Sequence, residues 1–319
     1  MTIGAMTYQI KIGTKTLKGV SKVTIVSSVE ALSVTASIEI PAYINNKPYD
    51  IESQIKRGDT VEIRLGYNNL NNLEFKGFVR SISVNSPCVI DCEDEMFKFR
   101  KEVKSEVFVK KSVTDILKSI AGQIGYPVVS KVSDLVYDKM VINQATGYEV
   151  LQKIQEQFRI LIYMYNGKLY ANYMYLERNG VEYINFQKNI KASSLKFVRA
   201  EDLKVKVNIK GVGADNKATK QISVGESGGE VINLPDRLNV TNEKALQNIA
   251  REELKRVSYT GFRGDVTTWG IPFVGLAWVV SVKDEDYPDH DGFYFVKGVT
   301  VNFSVAGFER KLTLAERLA

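Results

Sequence analysis

A chain of 319 residues exceeds one ordinary domain of roughly 100–200 residues and so divides into two or three. Its hydrophobic fraction of 44% and charged fraction of 25% suit a core-forming globular protein and exclude a disordered chain or one built of membrane spans. The 43 basic and 37 acidic residues leave a formal charge of +6, spread along the chain without a lysine-arginine block, which argues against a nucleic-acid binder built on a concentrated basic patch.

At the N-terminal end, Met1 to Val20 alternates polar and apolar residues and lacks the apolar run of a secretory signal, which predicts folding in a cytoplasm. Ser33 to Ile40 places Val34, Ala36, Ile38 and Ile40 on one face, the period of a half-buried antiparallel strand. Thr60 to Leu65 repeats it with Val61, Ile63 and Leu65. Cys88 and Cys92 follow in another strand. At the rise of a strand they lie about 13 Å apart, too far for a disulfide, and on one face, where they act as small buried hydrophobes and not as metal ligands.

The middle changes period. Ser112 caps a helix carrying Val113, Ile116, Leu117, Ile120 and Ile124, with Gly125 and Pro127 as stop signals. Thr146 and Glu149 form a capping box before a second helix with Leu151, Ile154 and Phe158 on one stripe. Asn166-Gly167 then predicts a type I′ hairpin that pairs Tyr165 with Lys168 and Tyr163 with Tyr170. In that register Ile160, Ile162, Met164, Leu169 and Ala171 share one face, and Tyr163, Tyr165 and Tyr170 share the other with Lys168 and Asn172. Tyrosine joins a large apolar body to a polar tip, so this second face is a candidate interface; a solvated hairpin or a base-stacking platform are the alternatives, the last disfavoured by the shortage of cations.

Beyond residue 198 the alternation returns. Leu203, Val205, Val207 and Ile209 point inward, opposite Lys204, Lys206, Lys210 and Asn208, which form either a solvated face or the lining of a channel. A third helix, Asn242 to Val257, carries Ala245, Leu246, Ile249, Ala250 and Leu254 on its buried side and a Glu252–Arg256 pair. The most apolar stretch, Trp269 to Val282, is broken by Pro272 and Gly275 and falls short of the roughly 20 residues that span a bilayer, so it is expected to be a buried strand with its approach loop.

The two β-rich ends resemble each other. Gly58 to Asn85 lies on Gly275 to Asn302 without a gap, since 275 − 58 and 302 − 85 both give 217. Ile63 meets Val280, Leu65 meets Val282, and Phe78-Val79-Arg80 meets Phe295-Val296-Lys297. The expected fold is therefore mainly β with an α+β insert: two similar small antiparallel β-barrels, at 6–97 and 198–319, flank a helix-and-hairpin module at 98–197. The second barrel carries a helical insertion near 242–257. Three such chains present six near-equivalent lobes about a three-fold axis.

In the order of its segments the chain resembles late control protein D of contractile phages and related tail-hub proteins, including the hub portion of the type VI secretion VgrG spike. The likeness is carried by Ile55-Lys56-Arg57-Gly58-Asp59-Thr60-Val61, Phe75-Lys76-Gly77-Phe78-Val79, Ser112-Val113-Thr114-Asp115-Ile116-Leu117, Gly147-Tyr148-Glu149-Val150-Leu151 through Asn166-Gly167-Lys168-Leu169, Gly292-Phe293-Tyr294-Phe295-Val296 and Gly307-Phe308-Glu309-Arg310-Lys311-Leu312. It spans roughly residues 20 to 316. It implies a homotrimeric hub in a virion tail baseplate, with a separate spike protein below, a six-fold tail-tube or tube-initiating ring above, and DNA or a tape-measure protein passing through its channel.

Enzymatic readings find few residues to stand on. His290 is the single histidine, in the acidic loop Asp284 to Gly292, which fails the spacing of an EF-hand and has the Asp, Gly and Pro of ordinary turn chemistry. No G-x-S-x-G elbow or P-loop occurs, and Gly211-Val212-Gly213 lacks the third glycine of a dinucleotide fingerprint. Arg263-Gly264-Asp265 is short enough to arise by chance. No catalytic residue, cofactor or metal site is assigned. A glycoside-cleaving tail enzyme, whose carboxylate pair would be spatial, and a β-rich nucleic-acid-binding protein are the alternative functions.

Overall fold

A computed structural model describes residues 4–41, 43–44, 47–48, 54–84, 86–133, 135–173, 179–212, 218–234, 236–238 and 243–318. The first β unit comprises β1 (Met6–Ile12), β2 (Lys15–Thr16), β3 (Lys22–Ser28), β4 (Thr35–Ile40), the short pair β5 (Tyr43–Ile44) and β6 (Lys47–Pro48), β7 (Thr60–Tyr67), β8 (Leu70–Ser83) and β9 (Cys88–Glu93). Their alternation puts Ala36, Ile38, Ile40, Val61, Ile63, Leu65, Cys88, Ile90 and Cys92 into one core. Neither cysteine is in a disulfide, and burial pushes the thiol of Cys92 up to about 12. The glycine of the Phe75-Lys76-Gly77 step has a steric cause, because a Cβ on Gly77 would sit 2.2 Å from the Glu93 carbonyl oxygen of the neighbouring strand.

The middle module follows a 3₁₀ turn at Glu95–Arg100. It holds β10 (Glu106–Ser112), α1 (Val113–Ile124), β11 (Val128–Ser130), β12 (Val136–Ile142), α2 (Gly147–Phe158), β13 (Ile160–Tyr165) and β14 (Lys168–Tyr173). The Ser112 hydroxyl accepts from the Asp115 N–H, and Gly125 closes α1 at φ 93°. Thr146 and Glu149 form the reciprocal capping box of α2. Ile116, Leu117, Ile120, Leu151, Ile154, Ile162 and Leu169 make a core separate from that of the β units.

The remaining elements are β15 (Val181–Asn185), β16 (Ile190–Ser193), β17 (Lys196–Val198), β18 (Val205–Val212), β19 (Ala218–Gly225), β20 (Glu230–Asn233), β21 (Arg237–Leu238), α3 (Glu243–Val257), β22 (Gly261–Thr268), β23 (Val279–Lys283), β24 (Gly292–Ser304) and β25 (Gly307–Leu318). Two expectations are corrected here. The strands between residues 181 and 198, assigned from sequence to the middle module, pair instead with the C-terminal sheet: β15 runs parallel to β23, and β16 and β17 run antiparallel to β22. Strand β18, assigned to the second barrel, belongs to a satellite in which β18–β21 form a mixed four-stranded sheet under α3. Val205, Val207, Ile209, Leu234, Leu246 and Ala250 are its small core. Helix α3 is described from Glu243, so the expected start at Asn242 lies outside the described residues, as do the side chains of Ala245 and Glu252.

The duplication is visible in the strand order. The first unit reads β3-β4-β9-β8-β7 and the second β17-β22-β25-β24-β23, with the same antiparallel neighbours at each step. Among its register interruptions each unit has one at the same place: between Val79 and Ser81 in β8, and between Val296 and Gly298 in β24. The bulged residues are Arg80 and Lys297, which differ by the same 217 positions. The satellite occupies the position held in the first unit by the turn from β3 to β4. The units differ outside this frame, since β7 is flanked by antiparallel β1 and β23 by parallel β15.

The two units are not separate cylinders. Strand β3 pairs antiparallel with β24 from Ser28↔Gly298 to Lys22↔Ser304, which joins them into one fourteen-stranded sheet. Their cores merge accordingly, with Val23, Ile38 and Ile63 in the same cluster as Val280, Val301 and Leu312. The fold is mainly β with a helix-and-hairpin insert.

Candidate assembly surfaces

The tyrosine hairpin folds as expected. Asn166 and Gly167 take φ 47° and 69°, and Tyr165 pairs with Lys168 and Tyr163 with Tyr170. The rings of Tyr163 and Tyr170 stack at 5.3 Å, and Tyr165 meets Tyr170 edge-on at 6.1 Å. The tyrosine face is only partly available, however. At its inner end Leu161 and Asn172 are buried, and Leu161 joins Val29, Ala277, Phe295 and Ala315 in a small cluster against which Tyr163 packs. Asn172, assigned by alternation to an outer face, is covered because the second β unit lies against that end of the hairpin. Tyr165, 59% exposed, stands at the free tip.

Lys204, Lys206 and Lys210 lie along the start of the satellite sheet, opposite the face that α3 covers. Lys204 is exposed and the other two are half-buried. Lys210 lies 3.7 Å from Asp236, while Asn208 receives the Ser223 hydroxyl and donates to Asn233. These cations do not belong to the fourteen-stranded sheet.

The carboxylates cluster around structural tasks. A groove of about 470 Å³ is lined in part by Lys76, Asp94, Glu95 and Tyr165. Asp94 spends both oxygens capping the 3₁₀ turn and the neighbouring strand, accepting from Met96 N–H at 3.0 Å and Val34 N–H at 2.9 Å. Desolvation raises its pKa to about 7 against those two hydrogen bonds. Glu93, fully buried, receives Arg100 in a bidentate pair at 2.6 and 2.8 Å, and that guanidinium lies over the Tyr148 ring at 4.1 Å. Glu253 of α3 holds Arg159, at the end of α2, at 2.7 Å, together with Arg256. Arg256 thus pairs with Glu253; the partner expected for it, Glu252, has its side chain outside the described residues.

Around His290 the acidic loop is internally tied. The imidazole stacks on Phe197 at 3.9 Å and on Tyr287 at 5.4 Å. Asp291 pairs with Lys283 and Glu285 with Lys188, and Gln187 bridges Asp284 and Asp286. No group of three or more metal-ligating side chains occurs among the described residues, and among them no helix is long and apolar enough to cross a membrane.

The contact that sequence reasoning missed is Glu74 with Arg310. Arg310 donates to Glu74 at 2.6 Å and to the carbonyls of Gly270 and Val274, and its guanidinium lies over the Phe273 ring. Glu74 looks locally like one more polar position in an alternating strand, whereas Arg310 falls in the inward phase of Phe308, Leu312 and Leu314, which marks a buried charge without naming its partner.

Comparison with known proteins places this geometry. The family model described as the Alg8 N-terminal domain matches residues 3–300. No curated protein matches the chain. Among solved structures it is similar to the 43 kDa tail protein of prophage MuSo2 from Shewanella oneidensis, at 18% identity and a TM-score of 0.70 over 97% of this chain and 98% of that one. It is similar to the tail protein from Neisseria meningitidis MC58, at 15% identity and a TM-score of 0.69 over 98% and 97%. It is also similar to E. coli c3393, described as a component of the type VI secretion system with structural similarity to the T4 bacteriophage tail proteins gp27 and gp5, at 10% identity and a TM-score of 0.60 over 97% and 79%. At these identities the likeness is one of fold, and the chain has the fold of prophage tail and type VI secretion proteins over essentially its whole length.

Proposed function

The chain belongs to the Alg8 N-terminal domain family, and from its fold we propose that it is a structural hub subunit of a contractile tail or related injection machine. The family's description names no tail component, so the functional reading rests on the architecture and on the tail and secretion proteins that share it. Three copies form a ring. The ring joins a six-fold tail tube, or the protein that initiates it, to a separate three-fold spike, in the manner of late control protein D. DNA or a tape-measure protein passes through the central channel, and the assembled particle carries the ring at its baseplate.

The observation that carries this role is the duplication. Two units with one strand order, one bulge position and one continuous sheet give each chain two near-equivalent lobes, so a three-fold ring presents six. Such an object matches a six-fold partner on one side and a three-fold partner on the other. Similarity of fold to prophage tail proteins and to a type VI secretion component supports the same setting. The buried carboxylates described above are engaged in caps and ion pairs, which supports a structural over a hydrolytic role.

The test is the light-scattering mass of the purified chain. A stable species at three times 35.8 kDa is expected. A monomer that clears bacterial cell walls would replace the hub with an enzyme.

A further inference from the structure

We propose that the satellite is a hinged lobe: a charge knot centred on Glu253 latches it shut, and it opens as a folded unit while the fourteen-stranded sheet and the middle module keep their shape. The proposal concerns a single chain and stands whether or not three copies make a ring.

The satellite hangs on a narrow neck. Its core shares no residue with the other clusters, and its four strands pair only with one another among the described residues. The chain leaves the main sheet at Val198 and returns at Gly261, which face each other where β17 pairs with β22. Just beyond that pair the Ala200 N–H donates to the Thr260 hydroxyl at 2.9 Å, which ties the two passages together. A folded unit with its own core, carried on two adjacent passages, has the geometry of a hinged body.

Away from the neck, charge holds the lobe down. Helix α3 lies against β25, and its Glu253, 8% exposed, accepts from Arg159 of the middle module at 2.7 Å and from Arg256 of its own helix. Arg256 and Lys297 of β24 also act on Glu316 of β25, and Glu253 opposes them there. The knot therefore gathers groups from the satellite, the middle module and the second β unit. A buried ion pair of this kind gives way when one partner is lost or neutralised, because the other charge is then stranded away from water. The apolar seam that merges the two β units has no such release.

The duplication shows how this seat differs from its counterpart. Ile90 and Leu312 are equivalent because they face Ile82 and Val299, so Asp94 and Glu316 correspond, since 312 − 90 and 316 − 94 both give 222. Ile38 and Val266 face that equivalent pair, so Val34 and Phe262 correspond, since 266 − 38 and 262 − 34 both give 228. In the first unit Asp94 accepts from the Val34 N–H and from the Met96 N–H, which clamps the short turn from β3 to β4. In the second unit the Phe262 N–H goes instead to the Tyr294 hydroxyl, at 3.1 Å. Glu316 keeps only its own N–H as a backbone donor, and its Oε2 is buried without a hydrogen bond. A buried carboxyl oxygen without a donor disfavours the closed seat. Where the first unit has a fixed clamp on a turn, the second has a releasable charge contact on a lobe.

Distances between spin labels on the full chain test the hinge. Lys153→Cys in α2 and Glu226→Cys in the satellite carry one pair of labels, and Lys18→Cys with Lys153→Cys carries a reference pair; all three positions are exposed and both native thiols are buried. Pulsed electron paramagnetic resonance and amide hydrogen exchange are recorded for the unaltered latch, for Glu253→Gln and for Arg159→Met. Each latch variant is expected to raise the population of long 153–226 distances at least tenfold, with the 18–153 distance and the protection of α3 and β18 unchanged. Unchanged 153–226 distances in the variants overturn the latch. Lengthening with lost protection across α3 and β18 means that the satellite unfolds in place of swinging, and overturns the hinge. A lengthened 18–153 distance means that the middle module moves instead, and loss of the whole fold in both variants makes the knot a structural staple; either result overturns the proposal.

Discussion

Glu74 and Arg310, 236 residues apart, form a 2.6 Å ion pair with 2% and 1% of their side chains exposed, at the seam where the first β unit meets the second. Desolvation raises the pKa of Glu74 even though the charge and hydrogen bond of Arg310 pull it down. Two charges in such a place gain less from each other than they lose from water, but removing one strands the other. Arg310→Met alone is expected to cost about 3–5 kcal/mol in denaturant unfolding. Adding Glu74→Leu should recover most of that loss, and a double-mutant cycle without coupling would show that the pair does not act as a unit.

Two glycines separate close approach from mere flexibility. Gly77→Ala would drive a Cβ into the Glu93 carbonyl and is expected to destabilise the first unit by about 1–3 kcal/mol or more. Gly122 lies inside α1, and a Cβ placed there would meet nothing within 4 Å, so its replacement by Ala should gain roughly 0.5–1 kcal/mol. Thermal unfolding of the two variants should move in opposite directions.

Two carboxyls respond to pH with opposite sign. For Glu253, burial alone would raise the pKa, but Arg256 and Arg159 together lower it, so its stabilising contribution is present above the ordinary glutamate range and is lost as acid protonates it. For Asp94, raised from 3.8 to about 7, the folded form binds its proton more tightly than the unfolded chain, so its contribution is complete in acid and is lost as pH rises through about 7. Glu253→Gln should flatten the acid limb of stability against pH, and Asp94→Asn should flatten the segment between about 4 and 7, as read by denaturant midpoints across pH.

The hairpin offers a contrast within one face. Tyr163→Ser removes a ring packed against the small cluster that contains Leu161 and Phe295 and should lower stability, whereas Tyr165→Ser at the exposed tip should change it by less than about 0.5 kcal/mol. If the tip is an assembly surface, Tyr165→Ser and Tyr170→Ser weaken association with the ring's partners at unchanged fold, measured by co-sedimentation with assembled tails. Undiminished binding would return the hairpin to solvent.

The lysine face is tested by charge. Replacing Lys204, Lys206 and Lys210 with Glu should leave folding intact, because none of the three is buried and the Asp236 partner of Lys210 is exposed, and should reduce tail function if the face borders a channel for anionic cargo. Normal assembly and function in the triple variant would remove the channel assignment.

Much of this molecule was legible from local chemistry. Ser112, Gly125, Thr146 and Glu149 mark helix ends because caps satisfy orphan backbone groups nearby, and Asn166-Gly167 fixes a register because few residues accept two successive positive φ angles. The offset of 217 pointed to two similar β units, and the bulges at Arg80 and Lys297 fall on that same offset. What stayed hidden was set by distant partners. Strands β15–β17 follow the hairpin in sequence but pair with strands far later in the chain, Val181 with Val279 and Val198 with Gly261, and one of those pairings is parallel. Periodicity placed Asn172 on an outer face, and could not know that the second unit would cover it. Glu74 and Arg310 likewise meet only after both units fold.

The central claim is that matching β units, copied around a three-fold axis, make a ring of six near-equivalent lobes. Cryo-electron microscopy of the purified chain, averaged without imposed symmetry, tests it most directly. The account predicts end-on classes with three-fold symmetry, six peripheral lobes and a central opening. Two-fold particles, or three-fold particles with three lobes, would contradict it.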